Sequence, residues 1–470
     1  MAKKPEKQTL KPDRIPMLER PPEKRAADFL EVPLGYTVNQ AKDEASRCLS
    51  CKNRPCKDGC PVGIDCGGFV ARVSEGDFAG AVKLVKEKNL LPAITGRVCP
   101  QIDQCEGPCL IGKKGESLGI GNLERFVADW EREHGVVLPD KAAPTGMSVG
   151  IVGSGPAGLT VAADLVQLGH HIVIYEALHE PGGVLVYGIP EFRLPKAIVA
   201  EQIGSLQDLG IEIRLNQVIG KTFTIDELLL VHDAVFICVG AGAPIFMGIP
   251  GENFIGVYSA NEYLTRSNLM RACYFPEWDT PMLPGGKIAV IGGGNVAMDG
   301  ARTALRLGAE EVSLVYRRSL EEMPARAEEV RHAREEGIRL MLLAAPTRIL
   351  GDSSGHVSAI ELVRMALGEP DASGRRRPVP VEGSNHALAV DTVIVAIGQQ
   401  PNAMIASTTP GLEVDRRGYI AVDKKTMATT RDGVYAGGDI AGWGASVIRA
   451  MGDGRKAATA MHQYLMSKKE

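Results

Sequence analysis

The apolar positions of this chain repeat with one period near its N-terminus and with another in the remainder. Between Phe69 and Val85 they recur at helical spacing, and similar patterns extend from about residue 41 to residue 133. From residue 148 onward, short unbroken apolar runs alternate with helical patterns, which is typical of α/β domains built on a buried parallel sheet. The pattern therefore predicts a small helical domain followed by an α/β region.

The α/β region contains one supersecondary unit twice. Each copy is a strand, a glycine-rich turn, a helix and a second strand, which is the context that a dinucleotide-binding fingerprint requires. The predicted elements are a strand at Ser148–Val152, a helix over Leu159–Leu168 and a strand at His171–Tyr175, then a strand at Lys287–Ile291, a helix that runs through Gly308 and a strand at Val312–Tyr316.

The two glycine-rich turns predict two nucleotide sites. In such a turn the first glycine allows the bend, the second lets the backbone approach a pyrophosphate, and the third lets helix and strand pack closely. The pyrophosphate then lies at the helix N-terminus, where unpaired N–H groups favour negative charge. The residues concerned are Gly153, Gly155 and Gly158 in the first turn and Gly292, Gly294, Asn295, Val296 and Ala297 in the second.

The residues that end the second strand of each unit distinguish the two ligands. Glu176 ends the first, where a carboxylate accepts hydrogen bonds from ribose hydroxyls and repels a 2′-phosphate. Arg317 and Arg318 end the second, and guanidinium groups match phosphate geometry, so this site should prefer NADP(H) to NAD(H). Arg326 is a weaker candidate for a third phosphate contact. The alternative interpretation is that Arg317 and Arg318 form a solvated charge pair at the start of a loop.

A third motif near the C-terminus predicts how the first nucleotide domain is completed. Residues 432–439 form a short apolar strand that ends at Gly438 and Asp439, followed by Gly442 and an apolar helix from about Ser446. In two-dinucleotide flavoproteins a carboxylate at this position meets the ribityl chain of the flavin. The flavin domain would then be closed by its own C-terminal segment, with the nicotinamide domain as an insertion.

Cysteines dominate the chemistry of the helical region. Eight of the ten cysteines fall between Cys48 and Cys109, and seven of them follow the spacing Cys-x2-Cys-x4-Cys-x3-Cys-Pro and Cys-Pro-x4-Cys-x3-Cys. A related run in bacterial ferredoxins sends its last cysteine to the other cluster, so two interleaved [4Fe–4S] clusters are the leading interpretation. Seven cysteines leave one of the eight ligand positions unassigned. The seven are Cys48, Cys51, Cys56, Cys60, Cys99, Cys105 and Cys109.

Two other uses of these cysteines are less favoured. Structural zinc prefers paired Cys-x2-Cys units, and only Cys48 and Cys51 have that spacing. A disulfide framework needs an oxidising compartment, and no apolar signal stretch precedes the cysteines. Cys66 is off the pattern and is expected to be a small packed residue, and Cys238 and Cys273 are expected to be core or loop thiols.

Length and charge restrict the remaining possibilities. A chain of 470 residues suggests two or three domains. No apolar run approaches the roughly 18 residues of a membrane span, and a net charge of −4 gives no general reason to expect nucleic acid partners. Residues 1–25 are rich in Lys, Arg and Pro and predict a solvated, extended arm. Reduced thiols and the lack of an export signal favour the cytoplasm.

Taken together, the motifs resemble the glutamate synthase small-subunit family, whose members join a two-cluster domain to a split FAD domain with an inserted NADPH domain. The resemblance covers most of the chain. The segments that carry it are Arg47–Cys51, Gly59–Val62, Gly96–Pro100, Gly121–Phe126, Gly183 with Gly188–Pro195, and Val315–Arg318.

The resemblance implies how the cluster ligands divide. Cys48, Cys51, Cys56 and Cys109 would hold one cluster, and Cys60, Cys99 and Cys105 the second. The missing ligand of the second cluster would be an oxygen-bearing side chain at the position of Glu124. Taken alone, Glu124 would be interpreted as a solvated helix residue. Cys66 departs from the family pattern, which leads us to expect an apolar residue there.

The resemblance also implies the domain organisation and further cofactor contacts. Val98, Gly183 and Arg193 would contact FAD, and the turn Ala396–Ile397–Gly398 would contact the nicotinamide nucleotide. The expected fold class is an α/β two-dinucleotide-binding flavoprotein preceded by an α-helical domain with two iron–sulfur clusters. The expected parts are a basic arm over 1–25, the cluster domain over 26–140 with a linker over 134–147, the FAD domain over 141–284 and 395–470, and the NADP(H) domain over 285–394.

These expectations lead to a functional hypothesis. Hydride would pass between NADP(H) and FAD, and single electrons would pass through two [4Fe–4S] clusters to a second redox subunit, so we expect a hetero-oligomer. Within the family the chain looks most similar to the large subunit of the bifurcating ferredoxin:NADP oxidoreductase, with a small flavoprotein subunit and ferredoxin as partners. The alternative is the small subunit of NADPH-dependent glutamate synthase, with its large subunit as partner. A redox-sensing module is a further alternative, disfavoured because two complete dinucleotide sites exceed what a sensor needs.

Overall fold

The structure, a computed structural model, describes residues 13–282, 285–372, 374–442 and 446–469. Its N-terminal part is helical, as the sequence predicts. The helices are α1 (Pro22–Arg25), α2 (Val38–Ser46), α3 (Pro55–Asp58), α4 (Cys66–Glu75), α5 (Phe78–Lys86), α6 (Pro92–Val98) and α7 (Ile120–His134), with short 3-10 turns at Gln101–Asp103 and Leu110–Lys113.

The helical pattern between Phe69 and Val85 belongs to two helices. Gly76 ends α4 with a φ of +86°, a left-handed conformation that glycine adopts without steric cost. Asp77 then caps α5, because its carboxylate accepts a hydrogen bond from the backbone N–H of Gly80 at 2.9 Å. Cys56 lies in α3 and Cys66 opens α4, and the other cysteines of this domain lie in the segments between its helices, so the short helices fix where the cysteines lie.

The expectation of a solvated N-terminal arm is wrong for the residues that the structure describes. Arg14 donates to Glu106 at 2.8 Å. Arg25 is 1% exposed and donates to Glu335 at 2.6 Å and to Glu336 at 3.0 Å, both in or beside a helix of the second nucleotide domain. Partners 310 or more positions away in sequence anchor this segment, which local charge composition cannot reveal. Residues 1–12 of the predicted arm lie outside the described residues.

The α/β region follows residues 135–147, which contain no helix or strand. Its first elements are β1 (Ser148–Val152), α8 (Pro156–Gln167), β2 (His171–Tyr175), α9 (Val184–Tyr187), α10 (Lys196–Asp208), β3 (Glu212–Arg214), α11 (Ile225–Leu229), β4 (Ala234–Ile237) and β5 (Ala243–Pro244). Next come β6 (Val257–Ser259), α12 (Ala260–Asn268), a 3-10 turn at Ala272–Tyr274, β7 (Lys287–Ile291), α13 (Asn295–Arg306), β8 (Glu311–Tyr316), α14 (Ala327–Glu335) and β9 (Arg339–Leu342). The last are β10 (Ala344–Gly351), β11 (Val357–Pro370), β12 (Arg376–Pro380), β13 (His386–Ala389), β14 (Thr392–Val395), β15 (Gln399–Gln400), α15 (Met404–Ser407), β16 (Val434–Ala436), a 3-10 turn at Gly438–Ala441 and α16 (Val447–Ser467).

Two parallel five-stranded sheets form the α/β region. The first has the order β16-β4-β1-β2-β3, and the second has the order β6-β14-β7-β8-β9. All pairs in both sheets are parallel. As predicted, the chain returns to the first sheet near its C-terminus, because β16 pairs with β4 more than 190 positions earlier. The fold is thus the expected α/β two-dinucleotide architecture.

The second nucleotide domain begins earlier than the predicted boundary at residue 285. Strand β6 occupies the edge of the second sheet, where Val257, Tyr258 and Ser259 pair with Val393, Ile394 and Val395. A three-residue strand of this kind carries too little periodicity to be assigned from sequence, and only its pairing with β14 reveals its domain. The two chain crossings between the domains pair with each other as the antiparallel ribbon β5–β15.

The helical domain and the first sheet share one hydrophobic core. It runs without interruption from Tyr36 through Val70 and Leu123 to Ile151 and Leu465. The second sheet has separate cores on its two faces. The cysteine domain is therefore packed tightly on the first nucleotide domain. Within the described ranges, no helix is both long and apolar enough to cross a membrane.

Candidate functional site: a two-nucleotide cleft beside a cysteine-rich domain

A single cleft of about 1470 Å³ runs between the two sheets and contains most of the predicted cofactor residues. It opens at the carboxyl ends of the strands, which is where open α/β sheets bind ligands. The predicted residues that line it are Val98, Gly153, Gly155, Glu176, Gly183, Arg193, Gly292, Gly294, Asn295, Val296, Arg317, Arg318, Ala396, Ile397, Gly398, Gly438 and Asp439.

The first glycine turn has the geometry that a pyrophosphate requires. A Cβ at Gly153, whose φ is +108°, would lie 2.8 Å from the carbonyl oxygen of Cys238. A Cβ at Gly155 would meet no atom within 4 Å, so this position faces open space in the cleft. Gly158 does not line the cleft, because a Cβ there would lie 2.2 Å from the carbonyl oxygen of Gly153. The three glycines thus allow the bend, the ligand approach and the helix packing in that order.

Glu176 is 5% exposed at the end of β2 and is held in place by the same turn. Its Oε2 accepts a hydrogen bond from the backbone N–H of Ser154 at 2.9 Å and another from the Ser154 hydroxyl. Its Oε1 accepts from the backbone N–H of Leu178 at 2.9 Å. These bonds fix the carboxylate beside the glycine turn, where it can accept hydrogen bonds from ribose hydroxyls.

The second glycine turn repeats this arrangement in the second sheet. A Cβ at Gly292 would lie 2.3 Å from the carbonyl oxygen of Ala396, whereas a Cβ at Gly294 would meet nothing within 4 Å. Gly294 precedes α13, so the first N–H groups of a 12-residue helix face the cleft. Ala297 is fully buried in the core and does not line the cleft. It takes the third position of the motif, where close packing is needed.

The arginines at the end of β8 have different surroundings. Arg317 is exposed and lines the cleft, and its side chain has no hydrogen-bond partner among the described residues. Arg318 is 6% exposed and donates to the carbonyl oxygen of Arg376 and to Asp371, both at 2.8 Å. Sequence reasoning missed Arg375, which also lines the cleft. The available signal was its place in a run of three arginines, and the contact of the β11–β12 hairpin with Arg318, just after β8, could not be anticipated.

Two other predicted arginines make contacts that the sequence did not indicate. Arg193 lines the cleft, but its Nη1 pairs with Asp299 at 2.7 Å and its Nε with Glu329 at 3.0 Å. Arg326 does not line the cleft. Its guanidinium group donates to Glu328 at 2.7 Å and to the carbonyl oxygen of Arg97 at 3.4 Å. The expected third phosphate contact from Arg326 is therefore not supported, because the loop before α14 turns this side chain toward the helical domain.

The first predicted cysteine set surrounds one cavity. Cys48, Cys51, Cys56 and Cys109 all line a hollow of about 130 Å³ between α3, α4 and the turn at Leu110–Lys113. None of the four thiols is in a disulfide, and each is only partly buried. Four thiols around one small cavity fit the ligand requirement of a [4Fe–4S] cluster. The arrangement gives no support to a disulfide framework.

The second predicted set is more deeply buried and includes Glu124. Cys99, Cys105 and Glu124 are 4%, 7% and 5% exposed, and Cys60 is half-buried. Burial raises the pKa of the thiols of Cys60 and Cys99, and the neighbouring carboxylate of Glu124 raises the pKa of both further. The three cysteines and the carboxylate thus converge on one place. A set of three thiolates and one carboxylate would fit a second cluster.

Glu124 is not the solvated helix residue that its sequence context suggests. It lies on the buried face of α7, where its Oε1 accepts hydrogen bonds from Asn89 at 2.9 Å and from the Thr95 hydroxyl at 2.6 Å. Burial raises the pKa of Glu124 to about 7, against the lowering effect of these two bonds. Its Oε2 accepts no hydrogen bond from any residue that the structure describes. That oxygen is therefore available to a ligand.

The cysteine domain and the cleft meet at Cys99. Val98 and Pro100, the residues on either side of this cysteine, both line the cleft. The second cysteine set is therefore the one nearer the nucleotide turns, whereas the first set lies nearer the protein surface. The fold and the cleft together define a two-nucleotide flavoprotein reductase joined to an iron–sulfur domain.

Comparison with known proteins agrees with this class. Residues 25–136 match the family described as dihydropyrimidine dehydrogenase domain II, 4Fe-4S cluster, and residues 147–461 match the pyridine nucleotide-disulphide oxidoreductase family. The glutamate synthase [NADPH] small chain of Escherichia coli is 36% identical over 96% of this chain and 97% of its own length. The NADP(+)-dependent formate dehydrogenase subunit beta of Moorella thermoacetica is 40% identical over 87% of this chain, which spans 60% of that subunit.

Solved structures support the fold alone. Mycobacterium tuberculosis FprA in complex with NADPH superposes with a TM-score of 0.57 at 22% identity, over 69% of this chain and 85% of that one.

The chain belongs to the pyridine nucleotide-dependent flavoprotein family that includes the glutamate synthase small chain, and the resemblance seen in the sequence is confirmed. It is an FAD-dependent NAD(P)H oxidoreductase with a 4Fe-4S domain.

Proposed function

We propose that this chain is the nucleotide-oxidising or nucleotide-reducing subunit of a hetero-oligomeric enzyme. Hydride passes between NADP(H) and FAD in the shared cleft, and single electrons pass through two [4Fe–4S] clusters to a partner subunit. The flavin supplies the change from two-electron to one-electron chemistry when it is bound. The chain supplies the residues that bind and orient the cofactors and the path along which electrons pass between them.

One observation carries this proposal. Val98 and Pro100 line the nucleotide cleft while Cys99, between them, belongs to the second cysteine set. A single short segment therefore separates the cleft from the proposed site of the second cluster. Because the second cysteine set is more deeply buried than the first, electrons would pass from the nucleotide to the flavin, then to the second cluster, then to the first cluster, and leave at the protein surface. The first set, whose four thiols are partly exposed, would be the exit toward the partner.

The proposed roles of individual residues follow from the same geometry. Glu176 would bind the ribose of FAD, and Arg317 with Arg375 would bind the 2′-phosphate of NADP(H). Arg318 would hold the β11–β12 hairpin through Asp371 rather than contact the nucleotide. Glu124 would supply the eighth cluster ligand through its unpaired Oε2.

The experiment that tests the proposal is anaerobic rapid mixing of the purified chain with NADPH, with FAD absorbance and cluster signals followed separately. Loss of FAD absorbance should precede transfer to an artificial one-electron acceptor. A variant with Cys99 replaced by Ala should retain reduction of FAD by NADPH but lose transfer to the acceptor. Equal rates of acceptor reduction in both proteins would show that electrons leave directly from the flavin.

The identity of the partner is a finer proposal. Sequence features of residues 29–37 and 292–299 favour the large subunit of a bifurcating ferredoxin:NADP oxidoreductase. The glutamate synthase small subunit is a second candidate, favoured by the match over nearly the full length of both chains. Purification from native cells separates them: a small flavoprotein should co-purify in the first case and a glutamate synthase large subunit in the second.

A further inference from the structure

Lys196 is the first residue of α10, and its ammonium group folds back over the Gly188–Pro195 segment that precedes this helix. Its Nζ donates one hydrogen bond to the carbonyl oxygen of Ile189 at 2.6 Å and another to that of Leu194 at 2.7 Å. Burial lowers the pKa of Lys196 to about 8, so the group is mostly charged at pH 7. One cation thus holds two backbone carbonyls near opposite ends of the segment.

The other bonds within this segment are longer. The backbone N–H groups of Arg193 and Leu194 both donate to the carbonyl oxygen of Pro190 at 3.0 Å. The backbone N–H of Lys196 donates to the carboxylate of Glu191, also at 3.0 Å. Lys196 therefore takes part in three charge-assisted hydrogen bonds, which are stronger than those between neutral groups. Its side chain is the main internal support of the segment.

Two neighbouring side chains of this segment contact α13 in the second nucleotide domain. The ring centroid of Phe192, a fully buried residue, lies 4.6 Å from the guanidinium group of Arg302 and 4.0 Å from that of Arg306. The Nη1 of Arg193 pairs with Asp299 at 2.7 Å. Because α13 begins directly after the second glycine turn, the position of the segment fixes the position of that turn.

We propose that Lys196 is a positioning residue for hydride transfer, because its ammonium group shapes the segment that holds α13 against the first nucleotide domain. One of the two carbonyls it binds belongs to Ile189, which lines the cleft, and the other belongs to Leu194, which follows Arg193. Hydride transfer needs the reacting groups in close and defined contact, and a displacement of about 1 Å can cost about 100-fold in rate.

The inference rests on the proposed transfer of hydride between NADP(H) and FAD in this cleft, and it does not depend on the clusters. The residues proposed to bind the 2′-phosphate, Arg317 and Arg375, lie outside the segment. A change at Lys196 should therefore affect the rate of hydride transfer more than the affinity for the nucleotide.

The test compares Lys196→Met, which keeps an unbranched stem and removes the ammonium group, with Lys196→Arg, which keeps a cation that donates hydrogen bonds. Anaerobic stopped flow at pH 7 over a range of NADPH concentrations gives the limiting rate of FAD reduction and the Kd of NADPH. In Lys196→Met the limiting rate should fall about 10- to 100-fold with little change in Kd. Lys196→Arg should show a smaller fall.

A second readout does not depend on turnover. Hydrogen–deuterium exchange of the peptide that contains residues 188–196 reports how firmly the segment is held. Its amides should exchange faster in Lys196→Met than in the wild type, and Lys196→Arg should lie between the two. Lys221→Met replaces an exposed lysine that does not line the cleft, and it should match the wild type in both rate and exchange.

Three outcomes would overturn the proposal. They are a wild-type limiting rate in Lys196→Met, a loss confined to the Kd of NADPH, and equal falls in the limiting rate of Lys196→Met and Lys196→Arg. If Lys196→Met does not fold or does not retain FAD, Lys196→Gln, which keeps an uncharged donor, takes its place in the same comparison. A wild-type protein whose FAD is not reduced by NADPH would instead contradict the proposed function.

Discussion

Arg193 and Asp299 join the two nucleotide domains through a buried ion pair. The Nη1 of Arg193 lies 2.8 Å from Oδ1 and 2.7 Å from Oδ2 of Asp299. Arg193 belongs to the Gly188–Pro195 segment of the first domain, and Asp299 lies on α13, directly after the second glycine turn. The pair therefore fixes α13, and with it the second glycine turn, in a defined position relative to the Gly188–Pro195 segment of the first domain.

Removing one partner of this pair should affect both stability and hydride transfer. In Asp299→Ala the Arg193 guanidinium keeps only Glu329, and breaking a buried pair in this way costs about 3–5 kcal/mol. We expect a lower thermal unfolding temperature and slower reduction of FAD by NADPH, measured by stopped flow. Arg339→Ala is the matched control, because its exposed pair with Glu311 should contribute about 0–1 kcal/mol. A wild-type unfolding temperature and wild-type rate in Asp299→Ala would contradict the role given to this pair.

Nucleotide preference should depend on Arg317 and Arg375. Replacing both by Ala should raise KM for NADPH far more than KM for NADH, because each charge-assisted hydrogen bond to the 2′-phosphate contributes about 1.5–3 kcal/mol. Steady-state kinetics with both nucleotides and a dye acceptor measure the difference. Arg377→Ala changes an exposed arginine of the same run that does not line the cleft, and it should alter neither constant. Equal losses for the two nucleotides would show that these arginines do not recognise the phosphate.

The ligand role of Glu124 predicts opposite outcomes for two substitutions. Glu124→Cys should keep both clusters and shift the EPR signal or potential of one, because a soft thiolate replaces a hard carboxylate. Glu124→Ala should lose iron from that cluster while NADPH still reduces FAD. Glu133→Ala, on the exposed end of the same helix, should leave iron content and spectra unchanged. If both Glu124 variants match the wild type in spectra and iron content, the eighth ligand is a different residue.

The anchored N-terminal segment predicts that Arg25 contributes to stability. In Arg25→Met the carboxylates of Glu335 and Glu336 lose a fully buried partner, so the unfolding temperature should fall. Lys24→Met removes an exposed neighbouring charge and should have little effect. Differential scanning calorimetry compares the two. Identical transitions would mean that the segment is solvated, as its composition alone suggests.

The sequence was sufficient to predict the elements whose formation depends on a local pattern of apolar residues and glycines. The strands Ser148–Val152, His171–Tyr175 and Lys287–Ile291 have the predicted bounds. Short, mostly apolar runs that alternate with helical patterns identify the strands of a buried parallel sheet. The closure of the first sheet by a strand near residue 435 was also anticipated. The second glycine turn and Arg317 meet in one cleft for the same reason, since both follow strands of one sheet.

Features that depend on distant parts of the chain could not be predicted. Strand β6 is visible only through its partner β14, and the burial of Glu124 only through the packing of α7 against Thr95 and Asn89. Arg375 lines the cleft and Arg326 does not, because Arg326 contacts the distant carbonyl oxygen of Arg97, which charge composition does not encode. Cys66 was expected to be a packed residue, and in the structure it is 2% exposed and lines the cavity of the first cysteine set.

In the proposed function, one chain holds a flavin and two [4Fe–4S] clusters on a continuous path from the nucleotide cleft. The most direct test is the quantification of FAD, iron and acid-labile sulfide in anaerobically purified protein. We predict about one FAD, about eight iron atoms and about eight sulfides per chain. About four iron atoms per chain, or zinc in place of iron, would contradict the claim.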